Sequence, residues 1–240
     1  MLHPKLKGLA NKIHDRKLRQ KVMDILENPS FEVAGEEYSG PTLDVSPAGL
    51  RRHHAYSGGY VEHVVSTAEI ALAICKSVEK VYHGKVNRDT LIAGILLHDA
   101  FKPVTYTINE DGSYSSSSLA DYMDHLTIAV SELVRKGFSL GVIHVVSAHY
   151  GDYGPIRPRT LEALICHLAD LTDSRLNGDV LNAAAYLARR ATGTELVGLN
   201  SKEAFEIVHS KAVEGWEGIT KKVKEINQRR RRARLNNRRK

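Results

Sequence analysis

Thiols are scarce: the 240 residues contain two cysteines, Cys75 and Cys166. Both fall in apolar helical patterns, ALAICKSV and ALICHLAD. That placement predicts buried, reduced thiols in a cytoplasmic protein, and it excludes a disulfide framework or a metal held mainly by thiolates. Long apolar runs are lacking as well. No stretch approaches the roughly 18 residues that cross a bilayer, so no membrane partner is expected. The opening segment MLHPKLKGLANKIHDRK is basic but has no apolar core of signal-peptide length. No internal repeat is evident. What remains is an ordinary globular composition, 42% hydrophobic and 26% charged, over a length that suits one large domain or two small ones.

Charge is unevenly spread. The net charge is +6, but the last twelve residues, RRRRARLNNRRK, hold eight basic and no acidic side chains. The rest, 26 basic against 28 acidic, is therefore near −2. Such a block repels itself and reads as a solvated tail or frayed helix end, or else as a phosphate-binding arm with RNA as its partner. No aromatic residues interleave with it to stack on bases.

Apolar spacing predicts a mostly α-helical chain. Leu6, Leu9, Ile13, Leu18, Val22, Ile25 and Leu26 recur at helical intervals. Residues 27–46, with Pro29, Gly35, Gly40 and Pro41, read as loop. A second helix follows Gly58-Gly59 and runs to Val78. Asn87 caps a third through Leu96, stopped by Pro103. Residues 105–118 place Asp-Gly between short Tyr/Thr/Ile stretches, which marks the one expected hairpin or flexible loop. Helical patterns resume at 121–136, 139–149, 159–177, 179–190 and 201–228. The last is amphipathic and would suit pairing in a homo-oligomer. The expected organisation is an N-terminal helix and loop over 1–50 packed on the core, a helical domain with a C-terminal extension over 51–228, and a basic tail over 229–240.

The stretch LIAGILLHDAFKP, residues 91–103, ends an apolar run with His98 and Asp99. An ionised carboxylate enters such surroundings only with a partner. His63 lies in the first turns of a helix, His125 opens another, and His149 closes a further one. His167 and Asp170 share one face of a later helix, three residues apart. Singly, each reads as a hydrogen-bonded core residue, and Asp99 as the group that fixes the His98 tautomer. Taken together they are explained by a metal: imidazole and carboxylate donors suit iron, manganese, cobalt or zinc at a hydrolytic site. His83 and His209 read as surface residues, and His53, His54 and His144 fit the pattern less well.

In order, HHAYSGGYVEH, ILLHDAFKP, DHL, SAHYG and CHLADLTDS resemble the HD-domain metal-dependent phosphohydrolase superfamily over about residues 50–178. The resemblance implies an all-α HD-domain helical bundle with a small hairpin insertion. It implies that His63, His98, Asp99 and Asp170 form the basic metal site, with Asp99 bridging two divalent ions and His125 and His149 binding the second. Fe(II) is the first expectation and Mn(II) the next. Two ions would hold a hydroxide for in-line attack on a phosphoester.

Asp99 and Lys102 are the expected catalytic residues. Lys102 would hold a non-bridging phosphate oxygen; the competing reading is a cation at a helix C-terminus. Ala100-Phe101 stand where many relatives carry Ile-Gly or Leu-Gly. Asp173 and His167 are expected behind the ligands, Asp173 orienting a histidine or forming a surface ion pair. Arg51, Arg52, His53 and His54 would contact substrate phosphate or lie on the loop surface.

Two branches of the superfamily look close. One holds archaeal dihydroneopterin 2',3'-cyclic phosphate phosphodiesterases of tetrahydromethanopterin biosynthesis, and the other bacterial 3'-to-5' exoribonucleases. The exonucleases usually carry a nucleic-acid-binding β-barrel ahead of the HD domain, and about 50 mostly helical residues are too few for one. A small cyclic phosphodiester is therefore the expected substrate. An exoribonuclease activity and a nucleotide-binding sensor without turnover are the alternatives.

Overall fold

The structure, a computed structural model, describes residues 1–237; Arg238, Arg239 and Lys240, the end of the expected basic tail, lie outside the described residues. The first apolar run forms two helices, α1 (Pro4–Ala10) and α2 (Arg16–Glu27). Asp15 caps α2 by accepting the N–H groups of Lys17 and Leu18. The link is pinned by Asp89, which accepts from the N–H groups of His14 at 2.9 Å and Asp15 at 2.8 Å. Apolar residues on both sides of the break enter one core, so spacing alone does not reveal it.

Residues 27–46, read as loop, contain an antiparallel hairpin of β1 (Ser30–Val33) and β2 (Glu36–Ser39). Its turn needs positive φ at Ala34 (+53°) and Gly35 (+80°). Phe31 is the buried residue of β1, and β2 has none, so the alternation that betrays a strand is absent from the sequence.

Helix α3 (Gly59–Val81) buries Val61, Val64, Ala68, Ala71 and Cys75 along one face. Helix α4 (Arg88–Leu97) starts at Asn87, whose side chain accepts from the Thr90 N–H, and is buried continuously from Leu91 to Leu97. A helix apolar all round belongs at the centre of a bundle, and α1, α2, α3 and the later helices at residues 140–147 and 161–192 pack around it. The expected hairpin follows, β3 (Tyr106–Ile108) with β4 (Tyr114–Ser116). Helices α5 (His125–Arg135) and α6 (Leu140–Ser147) come next. At the α4–α6 crossing, a Cβ on Gly94 would lie 2.2 Å from Val145 Cγ1. The bare glycine lets the two helices approach closely.

The two helices expected at 159–190 are one, α7 (Leu161–Thr192), which passes through Gly178. Helix α8 (Ser201–Asn237) is not straight: Gly215, at φ +67° and ψ −149°, breaks it. Its two arms fold together, because Arg229 bonds back to Glu206 and Arg230 to Glu203. A main core runs from Leu2 to Ala169, N-terminal helices included. A smaller one joins Ala184 and Ala188 of α7 to Ala204, Ile207, Ile219, Val223 and Ile226 of α8. Helix α7 packs against both arms of α8 around this smaller core. The first residues of the basic block continue α8 as far as Asn237. Among the described residues no helix is long and apolar enough to cross a membrane.

Candidate metal centre

Three buried imidazoles are oriented alike. His63 on α3 donates Nδ1–H to Asp173 Oδ2 at 2.7 Å. His98, which ends α4, and His149, just past α6, donate Nδ1–H to the carbonyls of Ile95 and Val146, each at 2.7 Å. These bonds fix the tautomers and leave each Nε2 for the interior of the site. There His63 Nε2 and His98 Nε2 stand 3.2 Å apart. Two nitrogen lone pairs at that distance repel unless a proton or metal ion lies among them.

Two carboxylates complete the arrangement. Asp170 Oδ1 lies 3.3 Å from His63 Nε2 and 3.9 Å from His98 Nε2. Asp99 Oδ2 lies 3.4 Å and 3.5 Å from the same nitrogens. The other oxygen, Asp99 Oδ1, lies 3.4 Å from His125 Nε2 and 3.9 Å from His149 Nε2. Asp99 presents one oxygen to each of two donor groups, His63–His98–Asp170 and Asp99–His125–His149, and a third cluster, His53–His54–His63, adjoins the first.

The donor set fits a metal on its own terms. Asp99 Oδ1 and His149 Nε2 are buried with no hydrogen-bond partner among the described residues. An orphaned carboxylate oxygen and an orphaned imidazole nitrogen each cost stability, and one cation satisfies both. Burial pushes His149 down to about 4, so it is a neutral donor. Burial opposes the charge on His63 too, yet its bonds to Asp173 and Asp99 prevail and raise it to about 9. The field at that point calls for positive charge. Burial also disfavours ionised Asp99, but Lys102 and the histidines hold its carboxyl well below the usual range.

Lys102 lies in a short 3₁₀ turn beyond α4, with Nζ 2.6 Å from Asp99 Oδ2. It is held by a side chain, not by a helix end. Burial pulls its pKa down and the negative charge of Asp99 more than restores it, so the group is an ammonium. It faces a cleft of about 620 Å³ that Arg51, Arg52, His53, Tyr153 and Arg175 also line. His53 is pushed down to about 4 by burial and by His63. Its Nε2 lies 3.3 Å from Ser174 Oγ, which donates to Asp170 Oδ1 at 3.1 Å.

His54 departs from expectation. Its backbone has φ +46°, which turns the ring away from the cleft and towards Asp173 Oδ2, 3.7 Å away. Its N–H donates to Asn177 Oδ1 at 2.7 Å. It lines a separate cavity of about 200 Å³ with Glu62, Asn177 and Ser201, so no substrate contact is assigned to it.

Asp173 is buried against His63, not paired at the surface. His167 supports His149 from behind, donating Nδ1–H to the His149 carbonyl at 2.7 Å. Gly151, at φ +58°, packs directly on the His167 ring. His83 and His209 are exposed, and His144 accepts from the Arg159 N–H. Sequence reasoning missed Tyr150, Ser174 and Asn177. The one available signal was adjacency, Tyr150 to His149 and Ser174 to Asp173.

Comparison with known proteins agrees with this geometry. The HD domain pattern matches residues 60–175. The chain is 38% identical over 201 residues to the dihydroneopterin 2',3'-cyclic phosphate phosphodiesterase of Methanocaldococcus jannaschii, covering 84% of this chain and 78% of that one. It is 33% identical over 143 residues to the 3'-5' exoribonuclease YhaM of Oceanobacillus iheyensis, covering 55% of this chain and 43% of that one. The Listeria monocytogenes YhaM is 34% identical over 142 residues with the same coverage. No solved structure matches the chain. With its ordered His and Asp residues gathered at one point of a helical bundle, the chain belongs to the HD-domain family.

Proposed function

We propose that this protein is a metal-dependent phosphodiesterase that hydrolyses a small cyclic phosphodiester such as dihydroneopterin 2',3'-cyclic phosphate. The observation that carries the reaction class is Asp99, whose two oxygens serve two histidine groups while Oδ1 and the neighbouring His149 Nε2 lack any other partner among the described residues. The substrate class rests on likeness to the M. jannaschii enzyme, which extends over 84% of the chain, against 55% for the exoribonuclease. The setting that goes with this reading is tetrahydromethanopterin biosynthesis in the cytoplasm.

His63, His98, Asp99 and Asp170 would hold one divalent ion, and Asp99, His125 and His149 a second, with Fe(II) the first candidate and Mn(II) the next. Such ions supply Lewis acidity, acidifying water and neutralising phosphate oxygens. The chain supplies the rest. Lys102, an ammonium anchored on Asp99, points into the cleft and binds a non-bridging phosphate oxygen as negative charge grows on it. Arg51 and Arg52, exposed at the rim, attract the anion, and guanidinium groups match phosphate oxygens in pairs. His53, neutral, offers a hydrogen bond without adding charge. Asp173 and His167 keep His63 and His149 in the orientation that binding requires.

The test is turnover by protein loaded anaerobically with Fe(II) or Mn(II). It should convert dihydroneopterin 2',3'-cyclic phosphate or 2',3'-cyclic mononucleotides to monoesters and leave labelled oligoribonucleotides intact. Progressive RNA shortening with no cyclic phosphate turnover would replace this reading with the exoribonuclease. Bound metal without turnover of either would make the protein a sensor.

A further inference from the structure

The two donor groups are not equally open. In the first, the Nε2 atoms of His63 and His98 face each other and the carboxylates. In the second, one donor is already engaged, because the Tyr150 hydroxyl lies 3.0 Å from His125 Nε2. An imidazole nitrogen offers one lone pair or one proton. Whichever group donates, a hydrogen bond to the phenol and a bond to a cation exclude each other at that atom. The tyrosine is well placed to persist there. Its ring packs on His149, with centroids 4.1 Å apart and planes at 37°, so it rests on one histidine of the group while its hydroxyl engages the other.

Resting on the reading of Asp99, His125 and His149 as ligands, we propose that Tyr150 is a gate on the second metal position: its hydroxyl must release His125 before an ion binds there, so the two positions fill in order. Each filled position then has a distinct affinity, set at the second by a bond within the chain itself.

Calorimetric titration of the chelator-stripped full chain with Mn(II) tests this without reference to activity. The wild-type protein should show two binding events, the second weaker. Tyr150→Phe keeps the ring on His149 and removes the hydroxyl. It should tighten the second event roughly two- to tenfold, the worth of one net hydrogen bond, and leave the first unchanged. A second event that is unchanged or weaker in Y150F overturns the gate, as does a single event in both proteins. His125→Ala, run in parallel, tests the underlying site: it should abolish the second event. If two events survive in H125A, the ligand reading falls and the gate with it. If H125A loses the second event but Y150F does not tighten it, the gate alone falls.

Discussion

The Nδ1–H of His63 points out of the metal centre to Asp173 Oδ2, 2.7 Å away and buried. A carboxylate in that position makes the imidazole a better electron donor and locks its orientation. Asp173→Asn keeps the shape and removes the charge, so metal affinity should drop about 10- to 100-fold, measured as Mn(II) binding by competition with a chelator. Unchanged affinity would show that Asp173 does no more than fill space. The proposed ligands could be singled out in the sequence because each His or Asp interrupts an apolar pattern at a helix end or on a buried face, where a polar group needs a reason. Asp173 was ambiguous: its position on a helix face suits a surface ion pair equally well. The positive φ of His54, whose ring lies beside Asp173, is not visible in the sequence, and Tyr150 was missed because its partner, His125, is distant in sequence. Spacing says which face of a helix a residue occupies, but nothing about where a residue in a loop points.

Helices α4 and α6 bring His98 and His149 together, and they cross where Gly94 meets Val145. A methyl group on Gly94 would lie 2.2 Å from Val145 Cγ1 and 2.6 Å from its Cβ. Both helices are buried there, so neither yields freely. Gly94→Ala should therefore destabilise the fold by about 1–3 kcal/mol through overpacking, and it should weaken Mn(II) binding by displacing one histidine from the other. Gly8 on α1 is the control, since a Cβ there meets nothing within 4 Å. Gly8→Ala should stabilise by about 0.5–1 kcal/mol through helix propensity. If G94A melts with or above the wild type in a denaturant titration, the close crossing is not what sets the histidine separation. Most helices could be read from apolar periodicity, and the misreadings have local causes. Gly178 looked like a stop but sits inside α7, where tertiary contacts outweigh its low propensity. Gly215 looked like helix interior but is the turn of α8. A glycine's role depends on its φ, which the sequence does not display.

Helix α7 belongs to both parts of the protein. Its first half carries His167, Asp170 and Asp173, and its second half packs with α8 around the smaller core. Between them, Asn177 accepts from the His54 N–H and donates to Ser201 Oγ, each at 2.7 Å, so the entry of α8 touches the loop that precedes the cleft. The far end of α8 is fastened in turn. Arg230 donates to the carbonyls of Val197 and Gly198, each at 2.7 Å, and pairs with the largely buried Glu203. Arg229 pairs with Glu206 at 2.6 Å. The first two arginines of the basic block are thus structural, whereas Arg231 and Arg232 are exposed. A chain ending at Arg230 should melt like the full protein, and one ending at Gln228 should be less stable by roughly 1–3 kcal/mol, the value of a partly screened pair plus a more buried one. The pH dependence identifies the cause. Arg229 holds the Glu206 carboxyl below its ordinary range, so its contribution is complete above the unfolded glutamate pKa of about 4.3 and is lost as pH falls through the lower folded value. The gap between the two truncated chains, read as the difference in urea midpoints, should be full at pH 7 and narrow below about pH 4. Equal midpoints at pH 7 would show that the clamp contributes nothing, and a gap that persists undiminished in acid would assign it to the carbonyl bonds of Arg230 and packing of the arginine stems instead of the ion pairs.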